Sequence, residues 1–174
     1  MTSKVVSLPF KAAAERQNIQ QNFIARETHR AKSTINGYFN EVPTPVDAMV
    51  DIAKILNDSE LSHELAHETF GTIPMMQSCF YQENTFSLDI LQKKESDERK
   101  FLKNEVELIL AKQDNWLTDT DKLFLEKYVN EFLDEILIEI KLISSIAERA
   151  DKSLMELIAK RKAYWKQIGY LEKR

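Results

Sequence analysis

The chain has 174 residues, 43% hydrophobic and 30% charged, with three Gly and four Pro. That balance suits a helical core and argues against a sheet-rich fold. No apolar run approaches the ~18–20 residues of a membrane span, and the start MTSKVVSLPF lacks the apolar core and cleavage site of a signal peptide. The single Cys79 excludes an intrachain disulfide and fits a reducing cytoplasm. The net charge of −4 hides an asymmetry. Residues 1–40 carry six basic groups against two carboxylates, net +4, and residues 41–90 carry Lys54 alone against nine carboxylates, net −8. A positive front ahead of an acidic body would orient the protein on a polyanion.

In chain order, Ser7 is placed to cap a first helix, with Pro9 tolerated in its opening turn and Phe10, Ala13, Ala14 and Ile19 on its apolar side. The stretch 21–40, QNFIARETHRAKSTINGYFN, reads as two short helices joined by a turn. The first groups Phe23, Ile24 and Ala25. The second, from Ala31 to Phe39, sets Ile35, Tyr38 and Phe39 at helical spacing. Ala25 and Ile35 are placed to meet where the helices cross, because a small residue there lets the backbones approach. Lys32, Ser33, Thr34 and Asn36 are left outward: hydrogen-bonding groups without a carboxylate, suited to base edges and phosphates.

These residues resemble the helix-turn-helix of lambda-repressor-type (XRE/Cro) regulators. The resemblance rests on Gln21 opening the first helix, Ala25, the run Lys32, Ser33, Thr34, Ile35, then Tyr38 and Asn40, with Arg16 and Ile19 upstream. It covers roughly the first 70 residues. His29 stands where the family's turn usually has Gly, and His tolerates a left-handed backbone better than most residues. Thr28 and Arg30 stand where the family usually prefers apolar side chains. The resemblance implies a sequence-specific regulator of double-stranded DNA, of the phage or mobile-element repressor type. Lys32, Ser33, Thr34 and Asn36 would face bases, Gln21 and Asn40 would hold phosphates, and Arg30 would lie in the same contact surface.

Beyond the motif, Pro43 and Pro45 break the helix and Thr44 is a candidate cap for a fourth, with Val46, Met49, Val50, Ala53, Ile55 and Leu56 on its face. Asn57, Asp58 and Ser59 form the next break. A fifth helix, Ser59–Phe70, carries Leu61, Leu65 and Phe70. Residues 73–87 show no clear period, and KKESDERK at 93–100 is either the exposed part of a long helix or a tether. From about Ser96 three helices are predicted. The first turns Phe101, Leu102, Val106 and Ile109 inward. The second starts near Thr118 and runs nearly 30 residues, with a stripe of Leu125, Val129, Phe132, Ile136, Ile140, Ile143 and Ala147 close to a heptad seam. The third opens on a capping box, Ser153 with Glu156.

The expected fold is therefore all-α: a five-helix lambda-repressor-like DNA-binding domain over 1–72, a connector over 73–95, and a long-helix C-terminal bundle over 96–174. The wide apolar face of the long helix exceeds what three helices bury, which predicts a homodimer through the C-terminal helices. A protein regulator is a further expected partner. Two rival classes remain. One is an interaction protein or antirepressor whose helix-turn-helix does not bind DNA. The other is a zinc-dependent hydrolase using His63, Glu64 and His67, which match H-E-x-x-H. The sequence shows no Gly-rich phosphate loop and no Ser/His/Asp arrangement, so neither a cofactor nor an enzyme is expected.

Overall fold

Helix punctuation in this chain is done mostly by left-handed residues and side-chain caps. The computed structural model describes residues 3–172. It is all-α, 71% helical, with eight α-helices and one pair of two-residue strands among the described residues. No helix among them is long and apolar enough to cross a membrane. Two compact units divide the chain: the residues up to Met75 together with those from Ala147 on, and the residues from Met76 to Ile146.

In the first unit, β1 (Ser3–Lys4) pairs antiparallel with β2 (Thr44–Pro45). The helices are α1 (Ser7–Arg16), α2 (Gln21–Glu27), α3 (Lys32–Tyr38), α4 (Val46–Leu56) and α5 (Ser59–Phe70). They surround one core, which includes Val6, Phe10, Ala13, Ile24, Ala25, Ile35, Phe39, Met49, Ile52 and Leu61. Phe10 and Phe39 stack at its centre, ring centroids 5.5 Å apart. Asn18, His29, Glu41 and Asn57 all have positive φ and stop helices that lack a terminal glycine, while α5 ends on Gly71 at φ 68°. At Gly37 in α3 a Cβ would lie 3.2 Å from the exposed Val42 side chain, a tight contact that Val42 would have to yield to by a few tenths of an ångström.

Asp58 joins three elements of this unit. Its side chain is fully buried and caps α5 by accepting from the Leu61 N–H at 2.8 Å. It also accepts from Arg16 Nε (3.0 Å), Arg16 Nη2 (2.7 Å) and Gln17 Nε2 (3.1 Å), which tie α1 to the α4–α5 corner. Burial pushes the carboxyl up, but Arg16, Leu61 and Gln17 together hold it below the ordinary range. Helix α8 (Leu154–Gln167) also belongs here. Its N-cap Ser153 accepts from the Glu156 N–H at 3.2 Å and donates to Asn57 Oδ1 at 2.7 Å, and the Leu154 N–H donates to Ser59 Oγ at 2.9 Å. The capping box is thus half made: the Glu156 carboxylate accepts from Asn57 Nδ2 at 2.6 Å rather than returning to the cap.

The second unit is built on α6 (Thr85–Leu110) and α7 (Asp119–Arg149), whose last turn from Ala147 belongs to the first. Its buried cluster holds Met76, Leu88, Leu91, Ile138 and Leu142. Ion pairs supplement it. Arg99 donates to the buried Glu135, lies over the Phe132 ring at 4.2 Å, and donates to Tyr128 Oη at 3.3 Å. Gln92 donates to Glu139 at 3.1 Å, and Lys141, itself buried, pairs with Glu83 at 2.8 Å. Thr118 and Asp121 cap α7 reciprocally. Lys112 and the Thr118 donors hold the Asp121 carboxyl down at about 2.

Several expectations are corrected. Ser7 is the first residue of α1 rather than its cap, which is Val6, and the residue before α4 is Pro45, leaving Thr44 buried in β2. On α4, Val50 is exposed while Ala48 and Ile52 fill the core. Phe70 and Phe101 point outward, 76% and 85% exposed. The run 93–100 is helical, because α6 begins at Thr85, so the second part of the expected connector, from Thr85 on, is regular structure. Helix α8 packs with the first unit instead of joining the other C-terminal helices. Of the apolar rows on α7, Ile138 and Leu142 enter the buried cluster beside Glu135, while Val129 and Ile143 of the stripe are exposed.

Candidate nucleic-acid interface

Helices α2 and α3 are joined by a turn that closes on His29. The Arg30 N–H donates to the Ala25 carbonyl at 3.0 Å and the His29 N–H to the Arg26 carbonyl at 3.2 Å, with His29 at φ 54° between them. This is a Schellman closure with His in the left-handed place that glycine commonly takes. Thr28 Oγ1 adds a bond to the Ile24 carbonyl at 2.7 Å. Ala25 and Ile35 are both buried in the shared core, 4% and 0% exposed, so the two helices are held by their facing sides.

That packing leaves one side of α3 open. Lys32, Ser33, Thr34 and Asn36 are all exposed. Among the described residues, Lys32, Ser33 and Thr34 have no side-chain partner within the protein, and no carboxylate neutralises Lys32. Asn36 is not free: Asn40 Nδ2 donates to its carbonyl at 2.8 Å and to its Oδ1 at 3.0 Å. This bond orients the Asn36 amide and draws Asn40 back onto α3. Gln21 is half-buried at the start of α2. The structure therefore brings Lys32, Ser33, Thr34, Asn36 and Asn40 onto one short helix and its end, with Gln21 on the preceding helix.

Arg30 lies elsewhere in chemical terms. Its guanidinium donates to Asp51 at 2.7 Å and Asp47 at 3.0 Å, both on α4, with 20% of the side chain exposed. The Asp51 bond chiefly, with Asp47, holds its pKa above the ordinary value. It fastens the turn to α4. Arg16 is likewise engaged by Asp58 and Glu60. Of the six basic groups before residue 41, Lys11 and Lys32 make no ion pair among the described residues. The positive front is thus partly neutralised by carboxylates from the acidic stretch that follows it.

The two histidines of the H-E-x-x-H stretch are engaged by the backbone that follows α5. His63 and His67 are partly buried, and each gives a ring nitrogen to a backbone carbonyl past the end of α5: His63 Nε2 to Ile73 at 2.6 Å and His67 Nδ1 to Thr72 at 2.5 Å. A carbonyl only accepts, so each of those nitrogens carries the proton. Their role here is to fold the chain after Gly71 back along α5. The cluster of carboxylates close enough to share an ion, among the described residues, is Glu95, Glu98 and Glu131 in the second unit, and Lys94 pairs with the first two.

Sequence reasoning saw Asp58 only as part of a break and missed its joining role. The signal was present: Asp followed by Ser and Glu before an apolar residue is a helix start. No protein-family model, curated protein or solved structure matches this chain.

Proposed function

We propose that this chain is a sequence-specific, double-stranded DNA-binding regulator of transcription that acts as a homodimer through its C-terminal helices. The observation that carries the reading is the open side of α3. Lys32, Ser33 and Thr34 are exposed and unengaged, Asn36 is oriented by Asn40, and α2 holds the helix from behind. In this reading α3 enters the major groove. Lys32 and Asn36 donate to base edges, Ser33 and Thr34 add short contacts, and Gln21 and Asn40 set the register on phosphates. The resemblance to lambda-repressor-type regulators, with His29 in the left-handed turn position, supports the same assignment. Arg30 serves the turn, so its contribution to DNA affinity is indirect.

A second reading is a protein-interaction or antirepressor role without DNA. It is favoured by the internal pairing of Arg16 and Arg30 and by the apolar side chains exposed on α6 and α7. Selection of bound sequences from random duplexes separates the two. The DNA reading expects a defined site whose binding weakens steeply with salt. Lys32→Ala with Asn36→Ala should then lower affinity for that site by about 1–3 kcal/mol per lost base contact. No enriched site and no salt-dependent duplex binding would leave the interaction reading in its place.

A further inference from the structure

Helices α4 and α5 meet at a corner and leave a groove between them of about 400 Å³. That is the size of a small-molecule site. All of it lies in the first unit, and no residue of α3 lines it, so the site does not depend on the DNA reading. Val46, Val50 and Ala53 line it from α4, and Leu65, Ala66 and Phe70 from α5. Val50 and Phe70 are exposed there, so the walls offer apolar surface that the unit's own core does not take up.

Polarity is divided along the groove. Lys54, Asn57 and Ser62 line the end nearest the corner, where Met155 of α8 joins them. At the other end Thr69 Oγ1 meets Met49 Sδ at 3.9 Å, which sets the start of α4 beside the end of α5. The one hydroxyl at that end is thus turned onto sulfur, and Val46 and Phe70 leave the end apolar. From Val46 to Lys54 the helix rises about 12 Å. The thioethers of Met49 and Met155 can adapt to a guest's shape.

Charge distinguishes the polar end further. Lys54 is the one ionisable side chain on the lining. Asp51 stands three residues before it, at ion-pair spacing on the helix, but is held by Arg30 at 2.7 Å. Lys54 makes no ion pair and the Ser62 hydroxyl no hydrogen bond among the described residues. Asn57, in contrast, is engaged by Ser153 and Glu156. The groove therefore ends in one uncompensated cation beside one unused hydroxyl.

We propose that this groove binds a small amphipathic anion: a carboxylate on an apolar chain, its head held by Lys54 and Ser62 and its chain running between α4 and α5 toward Val46 and Phe70. A wholly apolar guest would leave both polar groups unmatched, and a cationic one would meet Lys54. Titration of the full chain with octanoate, followed by the methyl signals of its methionines, tests the site. Octanoate should bind saturably and move Met49 and Met155, which line the groove, but not Met76, which lies in the other unit's buried cluster. Lys54→Gln should weaken octanoate about fivefold, the scale of an exposed ion pair, and leave octanol unchanged. Lys54→Glu should turn the preference toward octylammonium. No saturable shift with octanoate, or octanoate and octanol responding alike to Lys54→Gln, would overturn the proposal. Met49 and Met155 signals that move with protein concentration and not with octanoate would also overturn it, and would give the groove to a second copy.

Discussion

Replacing Asp58 by Ala removes four hydrogen bonds at once, and its cost can be built from the geometry. The cap of α5 disappears with the Leu61 contact, which is worth about 1 kcal/mol. Breaking a buried ion pair costs about 3–5 kcal/mol when the remaining partner is trapped without compensation. Arg16 is not so trapped: 35% of its side chain is exposed and it keeps Glu60 at 3.2 Å. About 2 kcal/mol is therefore assigned to the pair, for a total of about 3 kcal/mol. In urea this should lower the unfolding midpoint by roughly 1–2 M. Asp58→Asn keeps an acceptor for the cap and should fall between the two. The pH dependence has a definite sign. The folded carboxyl lies below its ordinary value of 3.8, so its stabilisation is complete above about pH 5 and is lost as pH falls through the folded value. The gap between the native chain and Asp58→Ala should close over that acid range. A midpoint shift below about 0.3 M urea at pH 7, or a gap unchanged down to pH 2, would refute the reasoning.

His29→Gly should stabilise the α2–α3 turn by about 0.5 kcal/mol, and His29→Val should cost more than about 1 kcal/mol, since a β-branched residue resists positive φ; thermal unfolding reads both. His63→Ala with His67→Ala removes two bonds to the segment after α5 and should cost about 1 kcal/mol each, with faster amide exchange near Met75. Unchanged exchange would mean that those bonds do not hold the segment. Arg30→Ala should lower stability by about 1 kcal/mol through the lost α4 contacts, while the sequence preference on DNA, assayed by competition, stays the same.

The first 70 residues were legible because short helices with sharp stops leave clear marks. Ser59–Phe70 was read to its ends, and Ala25 and Ile35 were placed at the helix crossing from their spacing and the small size of Ala. On α4 apolar residues occur on nearly every side, so period could not choose between Val50 and Ile52. The start of α6 was missed because eight polar residues hid its continuity. On α7 the apolar residues cover more than one side, so spacing left open which row faces inward; the row that does includes Glu135 and Tyr128, joined by Arg99. Hydrophobic periodicity ranks faces by oiliness and cannot see an ion pair that occupies the contact. The contact surface of α3 was proposed from residue type. What type could not reveal was the Asn36–Asn40 bond or the capture of Arg30 by α4.

Because α8 packs with the first unit, that unit is made from two separated stretches of chain with the α6–α7 unit inserted between them. During synthesis the inserted unit is complete first. Asn57 and Ser59 then wait for Ser153, Leu154 and Glu156, which leave the ribosome almost a hundred residues later. A fragment that stops near Met75 therefore keeps α2 and α3 but lacks the partners of its α4–α5 corner. The α4–α5 corner of the front is thus completed by its tail, although the apolar core of that unit is drawn from residues 6–65 alone.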